Sequence, residues 1–386
     1  MIEIGLVGKP SSGKSSFFKA ATMIDVKISS VPFTTIEPNT GIAYVVVDCI
    51  EKEFNVKCNP KSGYCKNGKR FIPIKLIDVG GLIPGSHEGR GIGNKFLDDL
   101  RQASVLIQIV DASGTTDGEG KPTSNYDPSN EIEFLKDEID LWFSGILEKA
   151  IKKINIKAIK DKEEILNILS DQLSGLGVAK SHIKKALESC DISDIKRFAS
   201  IIRKISKPII IAANKIDLKS SQDNFEKLKS KFKDLTIVPT SAECEIALKK
   251  AAENNLIEYD GTNGFTIKGD LNERQKSALE FIKNNVIEKY GSTGIQACLN
   301  KAVFEILNYI VVYPVEDENK LSDKNGNKFP DAFLLPKGST ALDLAYKIHT
   351  TIGEKFISAI DVRTKKRLGK DYELKNNDVI KILFSR

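Results

Sequence analysis

Apolar positions along this chain fall into two patterns. Residues 2–7 (IEIGLV), 42–48 (IAYVVVD), 71–78 (FIPIKLID), 105–110 (VLIQIV), 208–213 (PIIIAA) and 235–239 (LTIVP) are short apolar runs with the look of buried strands. The first run ends at Gly8, and a helix is expected at 14–22. Gly, Pro and Thr punctuate 29–41. The polar stretch 49–70, with Gly63, Asn67 and Gly68, reads as an extended hairpin tip. Residues 80–93 are glycine-rich and mark a loop, 94–103 read as a helix, and the Gly/Pro/Asp/Asn-rich stretch 114–130 reads as a linker.

Then the period changes. Ile139, Trp142, Phe143, Ile146, Leu147, Ala150, Ile151 and Ile154 recur at helical spacing and give one amphipathic helix. Further helices are expected at 162–173, 181–188, 192–205, 243–256 and 272–290. A strand–helix–strand unit needs only about 30 residues. Asp111 to Asn214 is far longer, so a helical insertion is expected there. The last stretch runs from IVVYPVE through a Gly/Asn turn at 325–327, AFLLP and a helix from Thr340 to Thr350 to short strands, a small mixed β domain. The expected division is 1–127 with 206–305, an inserted helical domain at 128–205, and a C-terminal domain at 306–386.

Composition narrows the class. A chain of 386 residues suggests two to three domains, and 41% apolar with 28% charged residues is ordinary for globular protein. No apolar run approaches the ~18 residues needed to span a bilayer. The net charge of +6 allows nucleic-acid contact without arguing for it. Met1 leads straight into the first strand, so no signal peptide is expected, and with six cysteines a reducing, cytoplasmic location is the expectation.

Four motifs carry chemistry. Residues 8–15 read GKPSSGKS, a G-x-x-x-x-G-K-S phosphate loop between a strand and a helix. Lys9, Pro10, Ser11, Ser12, Gly13, Lys14, Ser15 and Ser16 are its expected nucleotide contacts, largely through backbone N–H groups at the helix N-terminus. Lys14 should reach the β- and γ-phosphates and Ser15 should ligate Mg²⁺. Asp78 ends the third strand and opens Asp78-Val79-Gly80-Gly81. It is expected to hold the Mg²⁺ through water, with Gly80 or Gly81 sensing the γ-phosphate. Asn214-Lys215-Ile216-Asp217 follows the strand at 208–213. Asp217 can accept from guanine N1–H and N2–H₂ together, a donor pair adenine lacks. Asn214 would hold neighbouring loops together, and the Lys215 stem would lie over the base. Thr240-Ser241-Ala242 follows the next strand, with Ser241 and Ala242 at the base and the Ala242 N–H meeting guanine O6.

Four such motifs in this order define a Ras-like α/β P-loop GTPase domain. Residues Pro32-Phe33-Thr34-Thr35-Ile36-Glu37-Pro38-Asn39 resemble the first switch of the Obg family, and Glu88-Gly89-Arg90-Gly91-Ile92-Gly93-Asn94-Lys95-Phe96-Leu97 resemble its second-switch continuation. The helical insertion resembles the YchF branch. The run from Pro330 to Leu383 resembles a TGS domain, a β-grasp module shared with threonyl-tRNA synthetase and the RelA/SpoT enzymes. The resemblance, closest to archaeal YchF-like proteins, implies a Mg²⁺-dependent GTPase turning GTP into GDP, with Thr35 as first-switch Mg²⁺ ligand and Lys14, Thr35 and Gly81 as catalytic residues. It implies a monomeric switch acting on ribosomes or structured RNA through the TGS and helical domains. A nucleotide-gated scaffold with little turnover, or an ATPase as in bacterial YchF relatives, is the alternative. Leu82 stands where Ras-type GTPases carry a water-orienting Gln, so slow hydrolysis is expected. Asp217 stands where many YchF proteins have Glu, which favours GTP, and Ser11 where many relatives carry Asn, which puts K⁺ dependence in question.

Other signals stay open. His87 either positions water or is a solvated loop residue, and Arg90 either approaches the γ-phosphate or is an exposed charge; His349 reads as structural. Cys49, Cys58 and Cys65 cluster in the tip at a spacing looser than a zinc C-x₂-C pair, either as free thiols or with a Cys58–Cys65 disulfide. Two basic sets are candidate RNA contacts: Arg363, Lys365, Lys366, Arg367 and Lys370, and Lys180, Lys184, Lys185, Lys196, Arg197, Arg203 and Lys204.

Overall fold

The structure, a computed structural model, describes residues 1–23, 39–80, 100–154 and 161–385. Its contacts form two units, Ile2–Ala43 with Lys75–Cys298, and Tyr44–Ile74 with Leu299–Arg386 and Met1.

In the larger unit each apolar run becomes a strand: β1 (Glu3–Val7), β4 (Lys69–Asp78, its second half here), β5 (Val105–Asp111), β6 (Ile209–Asn214) and β7 (Ile237–Pro239). They lie in the order β4–β1–β5–β6–β7, all parallel. β5 is buried along its whole length, which is why it reads as an almost continuous apolar run. Parallel neighbours bring the carboxyl ends of β1, β4, β5, β6 and β7 to one edge, where ligands of open α/β sheets bind. Helix α1 (Lys14–Thr22) leaves β1 through the phosphate loop.

Between β5 and β6 stand α2 (Ser129–Ile154), α3 (Lys162–Leu173), α4 (Lys180–Ser189) and α5 (Ile195–Ser206). The α2 stripe Leu135, Ile139, Phe143 and Leu147 is buried in one cluster with Val7, Ile77 and Leu106 of the sheet and with Leu169, Ile183 and Phe198 of the other helices. The inserted helices therefore share the core of the strands they interrupt. Helices α6 (Ser221–Lys231), α7 (Ala242–Glu253) and α8 (Glu273–Ile282) follow, with the short pair β8 (Ile257–Glu258) and β9 (Thr266–Ile267). The expected helix at 94–103 lies mostly outside the described residues.

The smaller unit holds the end of β2 (Asn39–Asp48), the hairpin strand β3 (Tyr64–Lys66) and the first half of β4. In this hairpin Cys65 lies opposite Arg70. The same unit carries β10 (Tyr309–Pro314), β11 (Phe333–Pro336), α9 (Ala341–Ile348), β12 (Phe356–Asp361), β13 (Arg367–Leu368) and β14 (Asp378–Phe384), in the order β11–β10–β14–β12–β13. Only β10–β14 is parallel, and Ile310, Val312, Leu335, Leu344 and Ile380 form the core, a β-grasp. Thr340 and Asp343 cap α9 reciprocally. His349 Nδ1 accepts from the Thr351 N–H and starts the next turn, a structural role.

The expected boundaries kept the tip at 49–70 with the nucleotide-binding residues. The contacts group it instead with the C-terminal residues, because the Asn59 and Lys61 N–H groups donate to the Lys328 and Pro330 carbonyls and Arg70 donates to Phe329 O. All six cysteines are free, so the Cys58–Cys65 disulfide is not formed.

Candidate nucleotide site

The phosphate loop turns tightly between β1 and α1. Gly13 has φ 93°, and a Cβ there would lie 2.2 Å from Asn214 Nδ2, so only glycine fits. Gly8 is as constrained, since a Cβ would lie 2.6 Å from Ile109 O.

Around this loop the charged groups pair. Lys14 Nζ lies 2.9 Å from Asp78 Oδ1, and the Ser15 hydroxyl donates to Asp78 Oδ2 at 3.3 Å. Asp78 is almost fully buried and Lys14 nearly so. Gly80 is buried just past the end of β4. The hydroxyl of Ser12, also buried, has no partner among the described residues, an unsatisfied group in a loop built to donate. The Ser15 hydroxyl and the Asp78 carboxylate are hard oxygen donors and suit Mg²⁺.

Lys9 turns away from the loop. Its ammonium donates to Thr116 O at 2.8 Å, Thr116 Oγ1 at 2.5 Å and Asp117 O at 2.8 Å, and sits 3.4 Å from Glu131 Oε1. Of Lys9, only the backbone is left to face a phosphate. The stretch 114–130, expected as a linker, is thus the partner of the phosphate loop: it supplies carbonyls to Lys9, and Gly120 packs against Pro10 closely enough that a Cβ would lie 2.8 Å from Pro10 O. Burial pushes the Glu131 carboxyl up to about 8, partly offset by Lys9. Gly8, Lys9, Gln108, Tyr126 and Glu131 line part of a cavity of about 440 Å³.

Asn214, at the end of β6, links two loops. Its Nδ2 donates to Ser12 O at 3.1 Å, and its Oδ1 accepts from the Ala242 N–H at 3.2 Å. The Ala242 N–H, the expected partner of guanine O6, donates here to Asn214, whose side chain reaches both neighbouring loops. Lys215 has φ 63° and its ammonium pairs with Asp111 Oδ2 at 2.8 Å. Asp217, half-buried, accepts the Ser241 hydroxyl on Oδ1 at 2.6 Å; Ser241 Oγ also caps α7 through the Cys244 N–H. Ser11, with φ 62°, and Ser16 lie exposed and half-buried in the same loop.

Asp111 was not singled out from the sequence. It is fully buried at the end of β5 and accepts from Ser113, Thr116 and Lys215. Burial alone would raise its carboxyl, but these partners hold it below the ordinary range. The available signal was an acidic residue closing an otherwise apolar strand beside a phosphate loop. Thr35, Gly81, Leu82, His87 and Arg90 lie outside the described residues.

Residues 3–142 match the family described as 50S ribosome-binding GTPase, 212–317 the Obg-like GTPase YGR210-like G4 motif-containing domain, and 324–384 the TGS domain. An uncharacterized GTP-binding protein of Methanocaldococcus jannaschii is 54% identical over 99% of both chains. A relative in Buchnera aphidicola, named ribosome-binding ATPase YchF, is 25% identical over 99% of this chain and 98% of its own. The crystal structure of a GTP-binding protein from Pyrococcus horikoshii OT3 superimposes with a TM-score of 0.79 at 39% identity, covering all of both chains. With its phosphate loop, its strand-end Asp78 and its Asn214–Asp217 motif on a parallel sheet, followed by a TGS domain, the chain belongs to the Obg-like, YchF-related family of P-loop GTP-binding proteins.

Proposed function

We propose that this protein binds GTP with Mg²⁺, hydrolyses it slowly to GDP and phosphate, and uses the cycle as a switch on ribosomes. The observation that carries the proposal is the joined cluster of Lys14, Ser15 and Asp78 beside the Asn214–Asp217 edge. In this reading Lys14 leaves Asp78 for the β- and γ-phosphate oxygens. Ser15 and, through water, Asp78 hold the Mg²⁺, with Thr35 as the third ligand. The ion supplies neutralisation of charge on the phosphates. The backbone of Lys9 to Ser16 orients the phosphates, and the Gly81 N–H meets the γ-phosphate. A water oxygen then attacks the γ-phosphorus as the bond to the β–γ bridging oxygen breaks, and the proton lost from water ends on the phosphate product. Leu82 has no polar atom to orient that water, which supports a slow basal rate.

Asp217 accepts one hydroxyl on Oδ1, which leaves Oδ2 and the second lone pair of Oδ1 to take the two donors of guanine. The rival reading is an ATPase, supported by the name of the Buchnera relative, ribosome-binding ATPase YchF. Ribosome engagement rests on the same name and on the TGS domain. The division into a nucleotide-binding domain, an inserted helical domain at 128–205 and a C-terminal domain at 306–386, the monomeric state and a cytoplasmic site belong to the same proposal. Competition of GTP and ATP for one site, followed by single-turnover hydrolysis with and without ribosomes, tests it. Preferred ATP, or turnover indifferent to ribosomes, sinks the corresponding part.

A further inference from the structure

The smaller unit contains a second cluster of chemistry, unrelated to nucleotide. Cys49 follows the end of β2 and donates its N–H to Gly68 O. Cys65 is on β3. Cys58 lies in the loop between them, with its N–H held by Glu51 Oε2 at 2.9 Å. The Cys49 and Cys65 sulfurs are 3.4 Å apart, and the three sulfurs with a Glu51 oxygen all lie within 4.8 Å of one another. A tetrahedral ion with Zn–S of about 2.3 Å places its sulfurs roughly 3.8 Å apart, which this cluster brackets.

A second observation concerns Arg70. It is fully buried, and its Nη1 lies 3.0 Å from Cys58 Sγ and 3.9 Å from Cys65 Sγ. Its other partners among the described residues are the carbonyls of Ser62, Phe329 and Pro330, and there its Nε–H has none. Among the described residues no carboxylate forms an ion pair with it. A guanidinium without water or counter-charge is costly. The hydroxyl of Tyr313, fully buried, is also without a partner among the described residues, and Cys49, Arg70, Cys65 and Cys58 are the groups that act on it electrostatically. With three neutral thiols the cluster has an excess of donors and a bare positive charge. Three thiolates around a divalent cation reverse both: weak donors become strong acceptors, and net charge −1 faces Arg70 at +1.

We propose that Cys49, Cys58 and Cys65 bind a zinc ion, with the Glu51 carboxylate completing a tetrahedral site and Arg70 as its buried counter-charge. Glu51 is the half-exposed ligand, so the one remaining negative charge sits where solvent reaches it. Eight and then six residues separate the cysteines, rather than the two of a C-x₂-C pair, and the fold, through the hairpin register of β3 on β4, brings them together. The ion ties the end of β2, the tip loop and β3 into one knot, a structural role.

The test uses the full chain, reduced and reconstituted with Zn²⁺, then dialysed and measured for metal. The expected result is about one zinc per chain in the wild type and in a Cys190→Ser control, falling below about a tenth in Cys58→Ser. Cobalt in place of zinc should give thiolate-to-metal charge-transfer bands and the strong visible absorption of a tetrahedral centre, lost in Cys58→Ser. If that variant fails to fold, the wild-type stoichiometry and cobalt spectrum still decide. A folded, reduced wild type that takes up neither metal overturns the site. So does full zinc retention in Cys58→Ser, or iron held in preference to zinc.

Discussion

Replacing Asp217 by Asn should turn the base preference from guanine to xanthine. Asp217 Oδ1 already accepts the Ser241 hydroxyl at 2.6 Å, which fixes which oxygen of the carboxylate stays an acceptor. In Asp217→Asn that atom remains an oxygen, held by Ser241, and the new NH₂ takes the place of Oδ2. Guanine presents a donor at both N1 and the exocyclic amine, so the amine would face another donor. Xanthine presents N1–H and a carbonyl, so both pairings are restored. Losing one charge-assisted hydrogen bond costs about 1.5–3 kcal/mol, and leaving two donors unpaired about 1–3 kcal/mol more. The sum, roughly 2.5–6 kcal/mol, is a loss of about 10²–10⁴ in GDP affinity. Fluorescent GDP and XDP titrated into both proteins would measure it. Because Ser241 still has an acceptor, the melting temperature should barely move. GDP affinity within about threefold of wild type in a folded variant would refute the assignment of Asp217 to the base.

Ser15→Ala should weaken GTP in the presence of Mg²⁺ by more than about tenfold while leaving Mg²⁺-free GDP binding within about threefold, since only a metal ligand is lost; equal effects with and without Mg²⁺, in equilibrium dialysis, would remove Ser15 as the ligand. Glu131 should make stability fall with rising pH. Its folded carboxyl is raised from 4.5 to about 8 by burial, with Lys9, Asp111 and Tyr126 the other titrating groups around it. Its contribution is therefore complete below about 4.5 and lost as pH rises through about 8, with a slope approaching about 1.4 kcal/mol per pH unit. Urea midpoints from pH 5 to 9 should show this slope in the wild type and a flatter one in Glu131→Gln; identical slopes refute it. Charge reversal at Lys366 and Lys370 should flatten the salt dependence of ribosome or RNA binding by about 1.4 in log–log slope, two phosphates at about 0.7 each; an unchanged slope moves the contact to the inserted helices.

How much of this was legible in the sequence depended on whether the signal was local. Each parallel strand is a short apolar run because both its faces are covered, and the phosphate loop announces itself through Gly8, Gly13 and Lys14 on consecutive elements. The α2 stripe was readable at helical spacing, and Phe143 and Leu147 are indeed in the core. What the periodicity did not carry was the partner of that stripe, the sheet itself. The stretch 114–130 misled for a physical reason: a segment that holds a buried lysine needs carbonyls, hydroxyls and tight turns, and that composition is also a linker's. The basic run 363–370 looked like free charge. Arg363, however, forms a two-pronged ion pair with Glu53, at 2.6 and 2.8 Å, and the Lys365 ammonium donates to Glu318 O. Both partners are far away in sequence. The three cysteines were visible, but their convergence on Arg70 follows from hairpin register and long-range packing, which spacing alone does not encode.

The arrangement also bears on how the nucleotide edge stays in shape before anything binds. Three polar side chains each fasten one loop to the next: Lys9 fastens the phosphate loop to 116–117, Asp111 fastens the end of β5 to Lys215, and Asn214 fastens Ser12 to Ala242. All three are buried, so each bond is made where water does not compete and where its loss leaves an unsatisfied group. Gly13 belongs to the same device, since the absence of its Cβ lets the Asn214 amide pass. Base-reading and phosphate-holding elements are therefore joined through Asn214, and misplacement of one displaces the other. Under the proposed cycle, a site held this way would bind diphosphate and triphosphate with much the same frame. Discrimination between them then falls to groups that touch the γ-phosphate. In the proposed cycle those would be Lys14, once released from Asp78, with Thr35 and Gly81. A switch needs that separation, with a fixed frame for the nucleotide and a distinct set of residues for the third phosphate.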